Sequence, residues 1–493
     1  MADYSQTAPA GQSSADSDCC YLRIPSYLPG FIYDDKTTVH TSESEREVFW
    51  FEGKLKMPEA ELVCPECRCR MHRNQKNFVH IRHIPIGRTF SDICVEHYQL
   101  RCPRCHATKS QDIKFKAPGH RITYALYNQT RDLLAWGLTN KTVAELTGLG
   151  KNTVKEIDKE RLQELYTIDG KKLRKPEVQA RFLGIDEFKL HDGHKYATHI
   201  IDLETGHVLW IQPGKKKQVV YDFIEFVGTD WMKGVKAVSC DMNSDFQEAF
   251  EEKCPHLEIV FDYFHVVKNF NDKVISEVRK DEQKRLRDDG DFEGAKSLGR
   301  CKYILTSNKE TLKKKDAQAA EGCVFRKKGI IFNIEEAMCK GGREERYNAL
   351  IKENKLLFTA DLVKEKIRRA YEAGTVDQMK AELKEIIELC EATENKHFQW
   401  FSKLIKRHFD GMAAHAKFRL SNGKIEGINN KIKTLRRQGY GYPDDEYFFL
   451  KIIDASRREY VRNEASHRAR SYMTVIDLLH NLTYIKNYKN SVI

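Results

Sequence analysis

The sequence predicts a multidomain α/β protein in which two small N-terminal modules precede a mixed sheet and a long helical insertion. Three observations predict it. Two Cys-Pro-x-Cys knuckles flank residues 64–105, strand and helix signals alternate between residues 181 and 261, and a Lys- and Glu-rich stretch from about Phe270 to Phe418 has few strand signals. At 493 residues the chain exceeds what one core usually organises, so several domains are the natural division.

Composition narrows the class without fixing it. The 83 basic residues outweigh 72 acidic ones and leave a formal charge of +11, which suits a polyanionic partner but does not by itself select one. No run approaches the roughly 18 consecutive apolar residues of a membrane-spanning helix, and there is no basic-then-apolar export signal, so a cytoplasmic protein is expected. Of the 14 cysteines, Cys64, Cys67, Cys69, Cys94, Cys102 and Cys105 crowd one segment, which favours metal binding over a disulfide scaffold.

Residues 1–48 are predicted to be a disordered or irregular tail, because the first 18 residues are mostly Ala, Ser, Gln and Asp and bury almost nothing. Residues 49–110 follow as a zinc-binding module. Its paired knuckles, Cys64-Pro65-Glu66-Cys67 and Cys102-Pro103-Arg104-Cys105, offer four thiolates for one tetrahedral structural Zn²⁺ in a module with too little apolar content to fold unaided. Cys69, Cys94, His72, His80, His83, His97 and His106 are nearby alternatives that read more readily as surface or packing residues.

Residues 111–175 read as a helix-turn-helix domain. In the stretch Thr139–Ile157, Ala144 is small where two helices cross, Gly148 permits the turn, and Val154 and Ile157 anchor the second helix. Lys151, Asn152 and Lys155 would then face DNA.

From residue 176 the pattern changes. Arg181–Phe188, Tyr196–Leu203 and Val208–Gln212 read as an antiparallel meander, followed by a helix (Gln218–Val227), a strand (Val235–Asp241), a helix (Asp245–Lys253) and a strand (Leu257–Phe261). Asp186 and Asp241 each set a carboxylate among apolar strand neighbours, which is costly unless the charge is paired or binds a metal. Residues 271–417 form the helical insertion, within which Val376, Met379, Leu383, Ile386, Ile387 and Cys390 recur at helical spacing.

Beyond it, Ile425, Ile428, Ile432 and Leu435 make an apolar stripe, while Glu426, Asn430, Lys433 and Arg437 share an adjacent face at i, i+4, i+7 and i+11. Ser421 or Asn422 could cap this helix, and Gly427 leaves room beside Glu426. Read in isolation, it is an ordinary amphipathic helix with a solvated charged face.

Taken together these residues resemble the DDE transposases of bacterial insertion sequences, in particular the ISL3 family. The resemblance runs through the paired knuckles, the helix-turn-helix, Gly184-Ile185-Asp186-Glu187-Phe188, the Asp241 strand and Asp262-Tyr263-Phe264-His265-Val266-Val267-Lys268-Asn269. It continues through Ser421-Asn422-Gly423 to Tyr440-Gly441-Tyr442. It implies an RNase H-like catalytic core interrupted by the helical insertion and completed by residues 418–493, with Asp186, Asp241 and Glu426 as catalytic metal ligands. The extra basic and glycine-containing sequence within Cys301–Arg346 departs from the family pattern.

The implied chemistry is metal-dependent phosphodiester hydrolysis and strand transfer at the terminal inverted repeats of an insertion sequence. Two Mg²⁺ or Mn²⁺ ions would serve it, since hard oxygen ligands suit both. Asp262, His265 and Lys268 would orient the triad or the DNA backbone, and Asn430, Lys433, Arg436 and Arg437 would meet phosphates. His265 reads equally as a packing residue, and Tyr440 as a base-stacking or core residue. Double-stranded DNA at the element ends and target is the implied partner, and pairing two ends implies a dimer or larger assembly on nucleoid DNA. A domesticated DNA-binding regulator and an RNase H-like nuclease without strand transfer are the competing readings.

Overall fold

The computed structural model describes residues 28–41, 47–193, 195–242, 244–320, 342–439 and 441–458. The chain divides into two compact units, one comprising Met1–Arg174 with Arg436–Leu450 and the other Lys175–Leu435 with Lys451–Ile493. The first 18 residues, Tyr440, part of the Cys301–Arg346 stretch and the end of the 418–493 segment lie outside the described residues.

In the first unit a five-stranded sheet is built from β1 (Phe31–Thr41), β2 (Glu47–Leu55), β3 (His72–Ile86), β4 (Thr89–Arg101) and β5 (Thr108–Ser110). The order is β1-β2-β4-β3, with β5 on β4. β2 and β4 run parallel, whereas β1–β2, β3–β4 and β4–β5 are antiparallel. Phe51, Ile81, Ile93, Val95 and Phe115 fill one face. This corrects the irregular tail predicted for residues 1–48, because Phe31–Thr41 is a strand. Its sequence hides the period of two: Asp35 adopts φ 54° and the pairing with β2 shifts register between Tyr33 and Lys36, so exposed and half-buried positions do not alternate cleanly.

Three helices follow, α1 (Tyr124–Ala135), α2 (Asn140–Thr147) and α3 (Lys151–Tyr166). Thr123 and Thr139 cap the first two, accepting from Leu126 N–H at 3.3 Å and Thr142 N–H at 3.2 Å. Gly148 ends α2 at φ 72°, and a Cβ there would come within 2.8 Å of Arg82 and 2.9 Å of Phe90, so both conformation and space require glycine. Leu126, Leu134, Val143, Ala144, Val154 and Ile157 form their core, as the spacing predicts. β6 (Thr167–Ile168) and β7 (Lys172–Leu173) make a small ribbon.

The second unit carries a sheet of β8 (Phe182–His191), β9 (Lys195–Asp202), β10 (Val208–Pro213), β11 (Ala237–Ser239) and β12 (Glu258–Val260), in the order β10-β9-β8-β11-β12. β8, β9 and β10 form the antiparallel meander, and β11 pairs in parallel with both β8 and β12. Between these strands run α4 (Lys217–Val227), α5 (Thr229–Met232) and α6 (Ser244–Lys253), whose Val220, Phe223, Phe246 and Phe250 enter the core with Leu183, Ile185 and Val238.

α7 (Tyr263–Phe270) opens a region in which the described residues through Phe418 contain helices and no strands. The helix Val376–Glu391 buries Met379, Leu383, Ile386, Ile387 and Cys390, the positions read as its apolar face. The helix Gly423–Gln438 likewise buries Ile425, Ile428 and Ile432.

Candidate functional site

β8 and β11 place Leu183 beside Val238 and Gly184 beside Ser239. Carried two residues further, that parallel register sets Asp186, midway along β8, beside Asp241, two residues past the end of β11, and the two-residue period sends both side chains to one face. Asp186 accepts hydrogen bonds at Oδ1 from Glu187 N–H at 2.8 Å and at Oδ2 from Asn429 Nδ2 at 2.6 Å. Asp241 Oδ1 accepts from Met242 N–H at 2.7 Å, and His265 Nδ1 stands 3.3 Å from it.

Burial resists the ionisation of Asp241, but the His265 ring, the Met242 N–H and the charge of Lys268 outweigh it and hold the carboxyl below the ordinary aspartate range. Reciprocally, burial disfavours the His265 cation, and the neighbouring Asp241, Asp186 and Asp262 carboxylates raise its pKa above the usual histidine value. Both His265 and exposed Lys268 lie on α7. Asp262 is its N-cap, accepting from Phe264 N–H at 3.2 Å.

The helix Gly423–Gln438 packs over β11 and β8. Ahead of its first turn Ser239 Oγ donates to Asn422 Oδ1 at 2.6 Å, while Ser421 Oγ accepts from Gly423 N–H at 3.1 Å. Ile425 then packs so closely on β8 that a Cβ on Gly184 would fall 2.6 Å from its Cδ1. One turn on, Asn429 reaches Asp186. Asn422, Glu426 and Asn429 are spaced i, i+4 and i+7, so exposed Glu426 shares the face that spans β11 and β8. A Cβ on Gly427 would meet nothing within 4 Å, which leaves open space beside Glu426.

The three acids are not drawn into a closed cage. Among the described residues, the four cysteines are the one group of three or more His, Cys, Asp or Glu side chains whose ligand atoms all lie within 4.8 Å of one another. There Cys64 Sγ lies 3.5 Å from Cys105 Sγ, and Cys67 Sγ lies 3.4 Å from Cys102 Sγ. The two knuckles repeat one backbone geometry: Arg68 and His106 both take φ 59°, and their N–H groups both donate at 3.1 Å to Cys64 O and Cys102 O. The Cys105 N–H, and with it that of Arg104, pulls the Cys102 thiol down to about 6, despite opposing burial. Tetrahedral zinc with bonds near 2.3 Å separates its sulfurs by about 3.8 Å, so this thiol set could hold zinc after a small expansion.

Of the alternatives, His83 is buried against Thr123 Oγ1 at 2.9 Å. Cys94 stands 3.9 Å from His80, and Cys69 stands 3.9 Å from Arg104.

A family model described as a transposase, of the DDE type and ISL3 class, matches residues 183–452, more than half of the chain. The chain belongs to the ISL3 family of DDE transposases. It is 27% identical over 400 residues to the transposase for insertion sequence element IS1001 of Bordetella parapertussis, covering 81% of this chain and 89% of that relative. It is 26% identical over 332 residues to the transposase for IS1557 of Mycobacterium tuberculosis, covering 66% and 69% respectively. Transposases act on DNA, and membership in a DDE family implies divalent metal use.

Within this transposase, Lys151 and Asn152 are exposed at the start of α3, whereas Lys155 is engaged by its own chain. Its Nζ lies 3.2 Å from Asp444 and 5.5 Å over the Tyr447 ring, so its charge is already paired within its own unit. The reason is a buried network in the same unit: Tyr447 OH donates to Asp158 at 2.7 Å, and Arg161 holds the same carboxylate at 2.8 Å. Asn430 and Lys433 are exposed, as is Arg437, while Arg436 is half-buried. Arg436 and Arg437 fall in the first unit rather than with the acids.

Three residues of the acidic site escape sequence reasoning. Asn429 lies at i+3 from Glu426, beside Asn430 at i+4, and spacing alone does not distinguish the two. His199 pairs across β8–β9 with Asp186, is wholly buried, and has no partner at either ring nitrogen; burial lowers its pKa to about 4. Glu187 buries Oε2 without a partner, and burial raises its pKa. No local pattern marks His199, because the cross-strand pairing that matters is visible only in the register.

Proposed function

We propose that this chain is an active DNA transposase. It binds the terminal inverted repeats of its insertion sequence, cuts the phosphodiester backbone and transfers the strand through Asp186, Asp241 and Glu426. The single observation that carries this reading is the path of the Gly423–Gln438 helix, tied to Ser239 beside Asp241's strand and to Asp186 itself, with Glu426 on the face between those ties. The strand order β10-β9-β8-β11-β12, three antiparallel strands followed by two parallel ones, supports an RNase H-like core.

The residues present fit hard divalent cations. Each Asp186 oxygen accepts one hydrogen bond and retains a further lone pair, Asp241 is held ionised, and Glu426 is exposed. Bound Mg²⁺ or Mn²⁺ would generate the attacking oxygen nucleophile and offset charge on the leaving oxygen. Asp186 and Asp241 supply fixed carboxylates, His265 and Lys268 keep Asp241 charged, and Glu426 would add the third carboxylate from the helix face between Asn422 and Asn429.

Four cysteines would hold Zn²⁺ as a staple, and α3 would enter DNA as the second helix of a helix-turn-helix with Lys151 and Asn152 foremost. Asn430, Lys433 and Arg437 offer phosphate contacts, and pairing two element ends would need a dimer or larger assembly. Asp186→Asn and Asp241→Asn should each abolish Mg²⁺-dependent nicking of inverted-repeat DNA and leave its binding intact. Nicking that survives either substitution would refute the assignment, and a wild-type chain that binds these ends without cutting them would favour the regulator reading.

A further inference from the structure

Asn429 presents opposite groups to two environments. Its Nδ2 donates to Asp186 Oδ2 at 2.6 Å, whereas its Oδ1 is buried and makes no hydrogen bond. The great majority of buried acceptors are hydrogen-bonded, so an orphan beside a candidate catalytic carboxylate calls for an explanation. Seating the helix does not supply one. Ile425, Ile428 and Ile432 are buried beneath the same helix, and Ser239 already fastens Asn422 at its start.

A side-chain amide has a donor and an acceptor of nearly the same shape, and a half-turn of its last bond exchanges them. A cation held by Asp186 repels the N–H face and attracts the carbonyl oxygen, which is a hard ligand of the kind Mg²⁺ and Mn²⁺ prefer.

We propose that Asn429 is a metal-responsive member of the site: it donates to Asp186 when no ion is held, and turns its carbonyl oxygen to the ion when one is. This rests on the reading that Asp186 and Asp241 hold the catalytic ions. It makes the helix of Glu426 sensitive to metal loading through a residue three positions further on, before DNA chemistry begins.

The test is calorimetric titration of Mn²⁺ into the zinc-loaded full chain, without DNA, for the wild type, Asn429→Ala, Asn429→Asp and Asp186→Asn. Asn429→Ala removes the oxygen and should weaken Mn²⁺ binding roughly 10- to 100-fold. Asn429→Asp shows an oxygen whichever way it turns and should bind at least as tightly as the wild type. A residue that merely clasps Asp186 by donation would be lost equally in both variants, so weakened binding in Asn429→Asp overturns the proposal, as does unchanged binding in Asn429→Ala.

Should Asn429→Ala fail to fold, the Asp variant decides alone, in the same sense. Undiminished Mn²⁺ binding by Asp186→Asn would instead strike the parent reading of the site, and the two failures are thereby distinguished.

Discussion

The four-cysteine cluster and the acidic site gather their ligands over very different spans of sequence. Cys64 and Cys105 are 41 positions apart and lie in two copies of one backbone knuckle, whereas Asn429 and Asp186, which join the acidic site, are 243 positions apart. A thiol can donate a hydrogen bond to a neighbouring sulfur, and Cys67 and Cys102 approach to 3.4 Å. Carboxylates carry like charge and cannot close on one another until a cation offsets it. The first site is therefore formed by local turns, while the second is held open by hydrogen bonds from Asn429, Met242 and His265. The difference teaches that preorganisation here follows the charge of the ligands as much as their separation in the chain.

The largest effect expected from breaking this contrast is in the cysteine site. Cys64→Ser should remove bound zinc and destabilise the first unit by several kcal/mol, because a small metal module draws its folding energy from the ion. Metal analysis and thermal unfolding check this together, and equal zinc content with an unchanged melting temperature would contradict it.

A smaller effect separates packing of the same sheet from its metal. Burial pushes His83 down to about 4 from the ordinary 6.5. Below pH 6.5 the unfolded chain takes up a proton that the folded chain refuses, so this contribution is complete above 6.5 and is lost as pH falls towards 4. The full loss is about 3 kcal/mol. Urea unfolding of the wild type and His83→Gln at pH 7 and pH 4.5 isolates it from acid release of zinc, and the variant should show the flatter acid limb. Parallel acid limbs would refute it.

The smallest effect divides α3. Lys151→Ala should weaken DNA binding and lower its salt slope by about one, whereas Lys155→Ala should leave the slope nearly unchanged because Asp444 already engages that ammonium. Equal loss of slope in both variants would show that DNA displaces the Asp444 contact.

Much of this architecture can be read in the residues themselves. The duplicated Cys-Pro-x-Cys motif, the Ala144 and Gly148 pair, the meander strands and the apolar stripe of Ile425, Ile428 and Ile432 all follow from local periodicity and turn chemistry. β1 could not be read so, because a shifted register and Asp35 break its alternation. Nor could the engagement of Lys155 with Asp444, which depends on a segment nearly 300 positions away folding into the first unit. The candidate acids and the nearby His265 and Lys268 can be singled out from their local contexts, but not every support can: Asn429 looks like any polar residue on a helix, and His199 acquires meaning only opposite Asp186.

The central claim is that Glu426, delivered by a helix fastened at Ser239 and Asp186, completes the site of Asp186 and Asp241. Glu426→Gln keeps the size and helical setting of the side chain and removes its charge. Measured on inverted-repeat DNA with Mg²⁺, it should reduce nicking by more than the roughly 100-fold typical of losing an outer-shell partner, with DNA affinity unchanged. Nicking at the wild-type rate by Glu426→Gln would contradict the claim and place the third metal ligand elsewhere in the chain.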